Sequence, residues 1–261
     1  MQHEIPYTIE GTRQYTENLL ATEDQFEEEN LGNVSHLQAT VLKQATVPLQ
    51  KTVNEDALIL DIGCGNGKMT AFLQRFEVEG LELYGSVRAI PLDVSHKVLQ
   101  MCREAHKDMT DLAPVVADGL CLPFKGLSYT GVLLCQVLEF LPRSERLKAV
   151  GEACRVVKPG GPVIVAGLQG KMQVEYSMDL TRVHETAMLK EPIRQTELFR
   201  YFLQQGFNIE SFRGLSIHTT NDFFIGIFRR PSHDTGTTAQ KGVRTETEEE
   251  EGRRKRAELW R

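Results

Sequence analysis

Apolar and polar positions follow two different periodicities through the middle of the chain. Five apolar runs are typical of β-strands, namely ALILDIG (57–63), RAIPLD (88–93), LAPVVAD (112–118), TGVLLCQVL (130–138) and GGPVIVAGL (160–168). Segments with helical spacing separate them, and we expect helices to begin near Lys68, Ser95 and Arg143. Strand-like runs separated by helices indicate parallel strands joined by crossover helices, so the pattern predicts an α/β fold.

The two flanks of this region have a different pattern. Residues 1–34 are polar and include the acidic run TEDQFEEEN, so we interpret them as an arm or lid that precedes a domain over 35–230. After the segment 169–193, which we interpret as a lid region, RQTELFRYFLQQGF has the spacing of a helix that ends at Gly206. Two further β-rich pieces, NIESFRGL and DFFIGIFRR, follow it.

Charge and composition narrow the class of protein. With 41% hydrophobic residues the chain can build a substantial core, whereas residues 231–261 have almost no apolar side chains and are predicted to be a disordered charged tail. The net charge of −6 disfavours a body that neutralises many phosphates. No signal peptide or membrane-spanning run is evident, which predicts a cytoplasmic protein, with the RRKR of the tail leaving the nucleus as an alternative.

The sequence has no arrangement typical of a metal site or a disulfide framework. Its five cysteines are an odd number and include no C-x-x-C pair. We therefore expect no metal, and we expect most of the cysteines to be buried as small apolar side chains.

A glycine-rich turn follows the first strand-like run. Its sequence is Asp61-Ile62-Gly63-Cys64-Gly65-Asn66-Gly67. The phosphate-binding pattern G-x-x-x-x-G-K-[ST] fails because position 62 is Ile and Met69 stands where the hydroxyl residue belongs. The dinucleotide pattern G-x-G-x-x-G fails because Lys68 stands where its third glycine should be.

The turn instead resembles the D-x-G-x-G-x-G motif of the class I S-adenosylmethionine-dependent methyltransferases. The resemblance extends to the broad group that includes quinone-biosynthesis and type 11 methyltransferases. It implies a Rossmann-like, seven-stranded, mostly parallel sheet with helices on both faces and an antiparallel last strand. It also implies that S-adenosylmethionine is the cofactor. The glycines would let the backbone approach this ligand closely, and Asp61 would supply a carboxylate toward its amino-acid end.

Four later segments resemble the same family in the expected order. The resemblance implies that Asp93, at the end of the second run, binds the ribose hydroxyls. It places the adenine beside VVADGLCLPF and the methionine part beside GVLLCQVLEFL, and the turn of RVVKPGG matches the family before the fifth strand. The separation of Asp61 and Asp93 is 93 − 61 = 32 residues, which we attribute to an insertion near EVEGLELYGSV. The further implied cofactor residues are Val94, Asp118, Gly119, Leu120, Gln136 and Val137.

The sequence does not identify the methyl acceptor. Many small-molecule members of the family carry a histidine where this chain has Glu139-Phe140, so no catalytic base is assigned. We list five candidates for the acceptor pocket: Tyr15, Glu139, Phe140, Tyr176 and His184. The leading hypothesis is a small metabolite or lipid-like acceptor. A tRNA acceptor is the alternative, because GCGNGK and VADGLCLPF also resemble wobble-uridine methyltransferases, and a non-catalytic cofactor-binding subunit is a third hypothesis.

Overall fold

The computed structural model describes residues 57–75, 87–109, 112–169, 193–217 and 221–232. Seven strands and four α-helices lie in these ranges. The strands are β1 (Leu58–Ile62), β2 (Arg88–Asp93), β3 (Val115–Val116), β4 (Gly131–Cys135), β5 (Pro162–Gln169), β6 (Asn208–Ile217) and β7 (Asn221–Arg229). The helices are α1 (Lys68–Arg75), α2 (His96–Ala105), α3 (Arg143–Val156) and α4 (Gln195–Gln204).

The seven strands form one sheet in the order β3-β2-β1-β4-β5-β7-β6. Strands β1 to β5 pair in parallel, whereas β7 is antiparallel to both of its neighbours, β5 and β6. The predicted mostly parallel sheet with a reversed last strand is therefore confirmed. From β1 the chain builds outward to β2 on one side and later to β4 on the other. A reversal of this kind leaves a ligand-binding crevice at the carboxyl ends of the strands.

The core lies on both faces of this sheet. Because side chains alternate along a strand, Leu60 joins the apolar cluster on one face and Ile59 joins the cluster on the other. Helices α3 and α4 contribute Val150 and Phe202 to the first cluster, and α1 contributes Met69 to the second. The predicted helices on both faces are thus confirmed, and the central strands are too deeply buried to shift in register.

The predicted helix ends agree closely with the structure. Helix α1 begins at Lys68 and α3 at Arg143, and the hydroxyl of Ser95 accepts the Val98 N–H and caps α2. Helix α4 ends just before Gly206, which has a φ of +76°. Local chemistry marks two of these ends, through the Ser95 cap of α2 and the positive φ of Gly206 after α4.

Two predicted strands are wrong in length. The run 112–118 contributes only Val115–Val116, after Pro114, which has no N–H to donate to a neighbouring strand. The run 130–138 stops at Cys135 because Gln136 has a φ of +54°, which ends the extended backbone. Leu138–Phe140 then form a 3-10 turn instead of continuing the strand.

Several predictions concern residues outside the described ranges. They include the arm at 1–34, the insertion between β1 and β2, the lid segment beyond Gln169 and the tail after residue 232. The proposed domain limits therefore stay predictions. No helix within the described part of the chain is both long and apolar enough to cross a bilayer.

Candidate cofactor site

The glycine loop connects β1 to α1 at the crevice. The N–H groups of Gly63 and Cys64 both donate to the Leu92 carbonyl on β2, at 2.7 and 3.0 Å, and Gly67 N–H donates to the Cys64 carbonyl at 3.0 Å. These bonds tie the loop to the sheet. Asn66 N–H, in contrast, has no acceptor among the residues that the structure describes. This amide is the one that the loop can offer to a ligand.

The three glycines of the loop have positive φ angles of +67°, +56° and +81°, and each meets different surroundings. A Cβ added to Gly63 would lie 2.6 Å from Cγ2 of Val137, and one added to Gly67 would lie 2.3 Å from Sγ of Cys102. A Cβ on Gly65 would meet no atom within 4 Å. Gly63 and Gly67 therefore allow close packing behind the loop, and Gly65 borders open space.

Asp93, at the carboxyl end of β2, joins the loop to α2. Its Oδ2 accepts the Gly65 N–H at 3.2 Å and its Oδ1 accepts the Ser95 N–H at 3.0 Å. Burial raises the pKa of this carboxyl, and the backbone hydrogen bonds from Ser95, Gly65 and Val94 oppose the rise. A carboxylate has about four acceptor positions, and the two N–H groups at hydrogen-bond distance, those of Gly65 and Ser95, leave about two for a ligand's hydroxyl groups.

Asp61 lies at the end of β1 but faces α1. It is 1% exposed, and its Oδ2 accepts the hydroxyl of Thr70 at 2.6 Å. Burial raises the pKa of Asp61 to about 6, although the Thr70 hydroxyl opposes the rise and the charge of Asp93 adds to it. The sequence predicted that the carboxylate of Asp61 points at the ligand. In the structure, one of its oxygens is hydrogen-bonded to Thr70 of α1 instead. Sequence reasoning missed Thr70. It could have been identified as a polar residue on the apolar side of α1.

The other predicted cofactor residues lie at neighbouring strand ends. Oδ1 of Asp118 accepts the Leu120 N–H at 2.8 Å, and a Cβ on Gly119 would lie 3.1 Å from Cγ2 of Ile62, so this corner contacts the end of β1. Gln136 is exposed just after β4, and Val137 next to it packs on Gly63. Residues from four separate segments of sequence are thus brought to one edge of the sheet.

The candidate acceptor residues Glu139 and Phe140 lie in the 3-10 turn after β4. Glu139 is 1% exposed, and its Oε2 lies 3.1 Å from where a Cβ on Gly167 would be, so its carboxylate rests against β5. The Nε–H of buried Arg146 donates to the carbonyls of Leu138 and Leu141 at 2.9 and 3.2 Å and holds this turn. Sequence reasoning missed Arg146. Three other candidates lie outside the described residues: Tyr15, Tyr176 and His184.

A second concave feature runs along α3. It is a groove of about 470 Å³ lined by Leu120, Ser144, Leu147, Lys148, Gly151, Glu152 and Gln205. It contains no residue of the glycine loop and no strand-end acid. We therefore locate the site by the loop and the two aspartates and not by this groove.

Comparison with known protein families identifies the domain. A model described as "Methyltransferase domain" matches residues 59–161, which contain the glycine loop, Asp93 and Asp118. Residues 59–161 therefore match the class I S-adenosylmethionine-dependent methyltransferases. The resemblance on which the sequence analysis depended is confirmed.

Individual relatives of this methyltransferase domain differ in the acceptor that their names give. The chain is 34% identical over 110 residues to a tRNA (carboxymethyluridine(34)-5-O)-methyltransferase of Arabidopsis thaliana, covering 42% of this chain and 23% of that protein. It is 31% identical over 117 residues to a demethylmenaquinone methyltransferase of Shouchella clausii, covering 44% and 46%. The chain therefore spans less than half the length of either relative.

Solved structures support the fold of the methyltransferase domain. A Haloferax volcanii protein solved in complex with the Trm112 methyltransferase activator has a TM-score of 0.62 and 18% identity, covering 85% of this chain and 98% of that one. At this identity the likeness shows the shared fold, and the site must be argued from this chain's own residues.

The residues of the methyltransferase domain fit the family's cofactor. The open space at Gly65 admits a ligand close to the backbone, and Asp93 has acceptor positions that match a ribose diol. Asn66 N–H is a donor for a carboxylate, in a loop that leads into the first turn of α1. Nothing in this donor set requires a metal.

The raised pKa of Asp61 predicts a pH dependence of stability. An acid whose pKa rises from 3.8 to about 6 on folding holds its proton more tightly in the folded state. Ionisation of buried Asp61 therefore costs folding stability. This loss is absent below the unfolded pKa, grows between about pH 4 and 6, and is complete above that window. We expect Asp61→Asn to remove this loss, so the melting temperature of the wild type should fall relative to that of the variant between pH 4.5 and 7.

The matched control for this prediction is Thr70→Val, which keeps the carboxylate and removes the hydroxyl that donates to it. In this variant the pKa of Asp61 should rise further. The melting temperature of Thr70→Val should therefore fall more than that of the wild type over the same pH range. If the melting temperatures of the wild type and Asp61→Asn changed equally with pH, the raised pKa of Asp61 would be contradicted.

Proposed function

We propose that this protein transfers a methyl group from S-adenosylmethionine to an acceptor. The observation that supports the proposal is the meeting of the glycine loop with Asp93 at the crevice of the sheet, with open space at Gly65. A site built for a pyrophosphate would offer several free loop amides. Here Asp93 and the sheet occupy most of them, and an acid stands directly beside the loop.

The chain's own residues have positioning roles in this proposal. When bound, S-adenosylmethionine would supply a methyl group activated by its sulfonium, and S-adenosylhomocysteine would leave as the acceptor forms its bond to the methyl carbon. Asp93 holds the ribose hydroxyls, Asn66 N–H contacts the amino-acid end, and the Asp118–Leu120 corner borders the adenine. Correct alignment of the reacting atoms supplies much of the acceleration in reactions of this kind, and a general base is needed chiefly for hydroxyl acceptors.

For the acceptor we propose a base in tRNA. The support is the 34% identity over 110 residues to a methyltransferase named for a tRNA uridine. This choice differs from the leading hypothesis of the sequence analysis. The second candidate is a small molecule, which the net charge of −6 and the demethylmenaquinone methyltransferase relative both favour.

One experiment separates these acceptors. The full chain is incubated with methyl-tritiated S-adenosylmethionine and either total tRNA or a small-molecule extract, with Asp93→Asn as the inactive control. Label in tRNA supports the first acceptor, and label in the small-molecule fraction supports the second. Absence of label from both, in a protein that binds S-adenosylhomocysteine, supports the cofactor-binding subunit, and repeating the assay in cell extract then tests whether a partner restores transfer.

A further inference from the structure

We propose that His106 is a positioning residue for the cofactor loop. It caps the end of α2 and lies 40 positions from the loop, with Nε2 3.2 Å from the Asn66 carbonyl oxygen. A carbonyl oxygen only accepts, so Nε2 must carry the proton of this hydrogen bond. His106 lies outside every motif that identified the family.

The contact fixes the peptide between Asn66 and Gly67 from both sides. Its carbonyl accepts from His106, and its N–H donates to the Cys64 carbonyl at 3.0 Å. On the other side of Asn66, the N–H of Gly65 is held by Asp93. The Asn66 N–H, which has no acceptor within the described ranges, therefore lies between two anchored peptides. Its direction depends on both anchors.

Helix α2 thus braces the loop at both of its ends. At its start, the N–H of Ser95 shares the Asp93 carboxylate with Gly65. At its end, the ring of His106 lies 3.3 Å from where a Cβ on Gly67 would be, and Cys102 one turn earlier is closer still. A helix that contacts the loop through both termini fixes its shape before a ligand arrives, which lowers the ordering cost of binding.

The geometry indicates which part of the ligand His106 affects. The strand order β3-β2-β1 places the adenine corner at Asp118, the ribose acid at Asp93 and the glycine loop in sequence across the sheet. In this order, the amino-acid end of a bound cofactor would lie on the loop side of the ribose, opposite the adenine. On the proposed function, His106 therefore supports the site for that amino-acid end.

Two ligands test this assignment by calorimetry on the full chain. S-adenosylhomocysteine has the amino-acid end, and 5′-methylthioadenosine lacks it. We expect His106→Ala to weaken binding of S-adenosylhomocysteine about tenfold, since a misdirected Asn66 N–H would lose one hydrogen bond to the amino-acid end, and binding of methylthioadenosine less than about twofold. His106→Gln, which keeps an N–H donor, should recover most of the loss. His96→Ala, an exposed histidine on the same helix, is the matched control.

A measurement without ligand gives a second test. Amide hydrogen exchange of the peptide containing 64–67 should be faster in His106→Ala than in the wild type or His106→Gln. Unchanged S-adenosylhomocysteine affinity in His106→Ala, or an equal loss for both ligands, would overturn the proposal. If the wild type bound neither ligand, the proposed function would fail, and the exchange rates would still decide whether His106 holds the loop.

Discussion

Asp93→Asn is expected to weaken binding of S-adenosylhomocysteine by about a hundredfold. Hydrogen bonds to a charged group contribute about 1.5–3 kcal/mol each, and the proposed ribose contact contains two of them. An amide keeps one acceptor oxygen, so about 3 kcal/mol should be lost, which corresponds to about two factors of ten. The new NH₂ group would also confront the N–H of Gly65 or Ser95, both of which donate to the carboxylate at present.

Calorimetric titration of the full chain measures this loss directly. Glu104→Gln is the matched control, because it removes one negative charge from an exposed position on α2 and leaves the crevice untouched. The melting temperature of each variant separates lost binding from lost folding. An Asp93→Asn protein that folds and binds within about threefold of the wild type would show that the ribose lies elsewhere.

Much of the fold could be predicted because local chemistry determines it. The period of the apolar runs identified β1, β2 and β5, and Ser95 marked the start of α2 because its hydroxyl caps that helix. The glycine spacing identified the loop because Gly65 and its neighbours adopt positive φ angles that other residues rarely take. Each of these signals is contained in fewer than about ten consecutive residues.

The strand lengths and the orientation of the acids could not be predicted in this way. Gln136 has a positive φ although its sequence is typical of a strand, and the Ala166 carbonyl on β5 accepts its N–H at 2.7 Å. Asp61 ends the first strand as expected, but only the packing of α1 shows that Thr70 donates to it. Tertiary contacts override the local pattern at both positions.

The contact between the end of α2 and the glycine loop could not be predicted from the sequence either. His106 and Asn66 are 40 residues apart, and α2 is an ordinary amphipathic helix by its pattern alone. The parallel pairing of β1 and β2 brings the end of α2 against the glycine loop that connects β1 to α1. Part of the site is thus formed by a helix whose sequence resembles a packing element.

Gly67→Ala should lower the free energy of unfolding by about 2–5 kcal/mol. The residue has a φ of +81°, and its added methyl group would lie 2.3 Å from Sγ of Cys102. Left-handed backbone costs an alanine about 1–2 kcal/mol, and overpacking a filled site costs about 1–3 kcal/mol more. Chemical denaturation of the full chain, read by circular dichroism, measures the sum.

Gly65→Ala separates these two contributions. Its φ of +56° imposes the same kind of strain, but its methyl group would meet no atom within 4 Å, so about 1–2 kcal/mol should be lost. Cys102→Ala should relieve most of the steric part in Gly67→Ala and none of the backbone strain, because Cβ of Cys102 lies at an ordinary 3.5 Å from the added methyl group while Cδ2 of His106 stays at 3.3 Å. The double variant should therefore be more stable than the two single effects predict by about 1–3 kcal/mol. If the stability changes of Gly67→Ala and Cys102→Ala were strictly additive, Cys102 would not fill the space behind Gly67. The close contact between Cys102 of α2 and the loop would then be wrong.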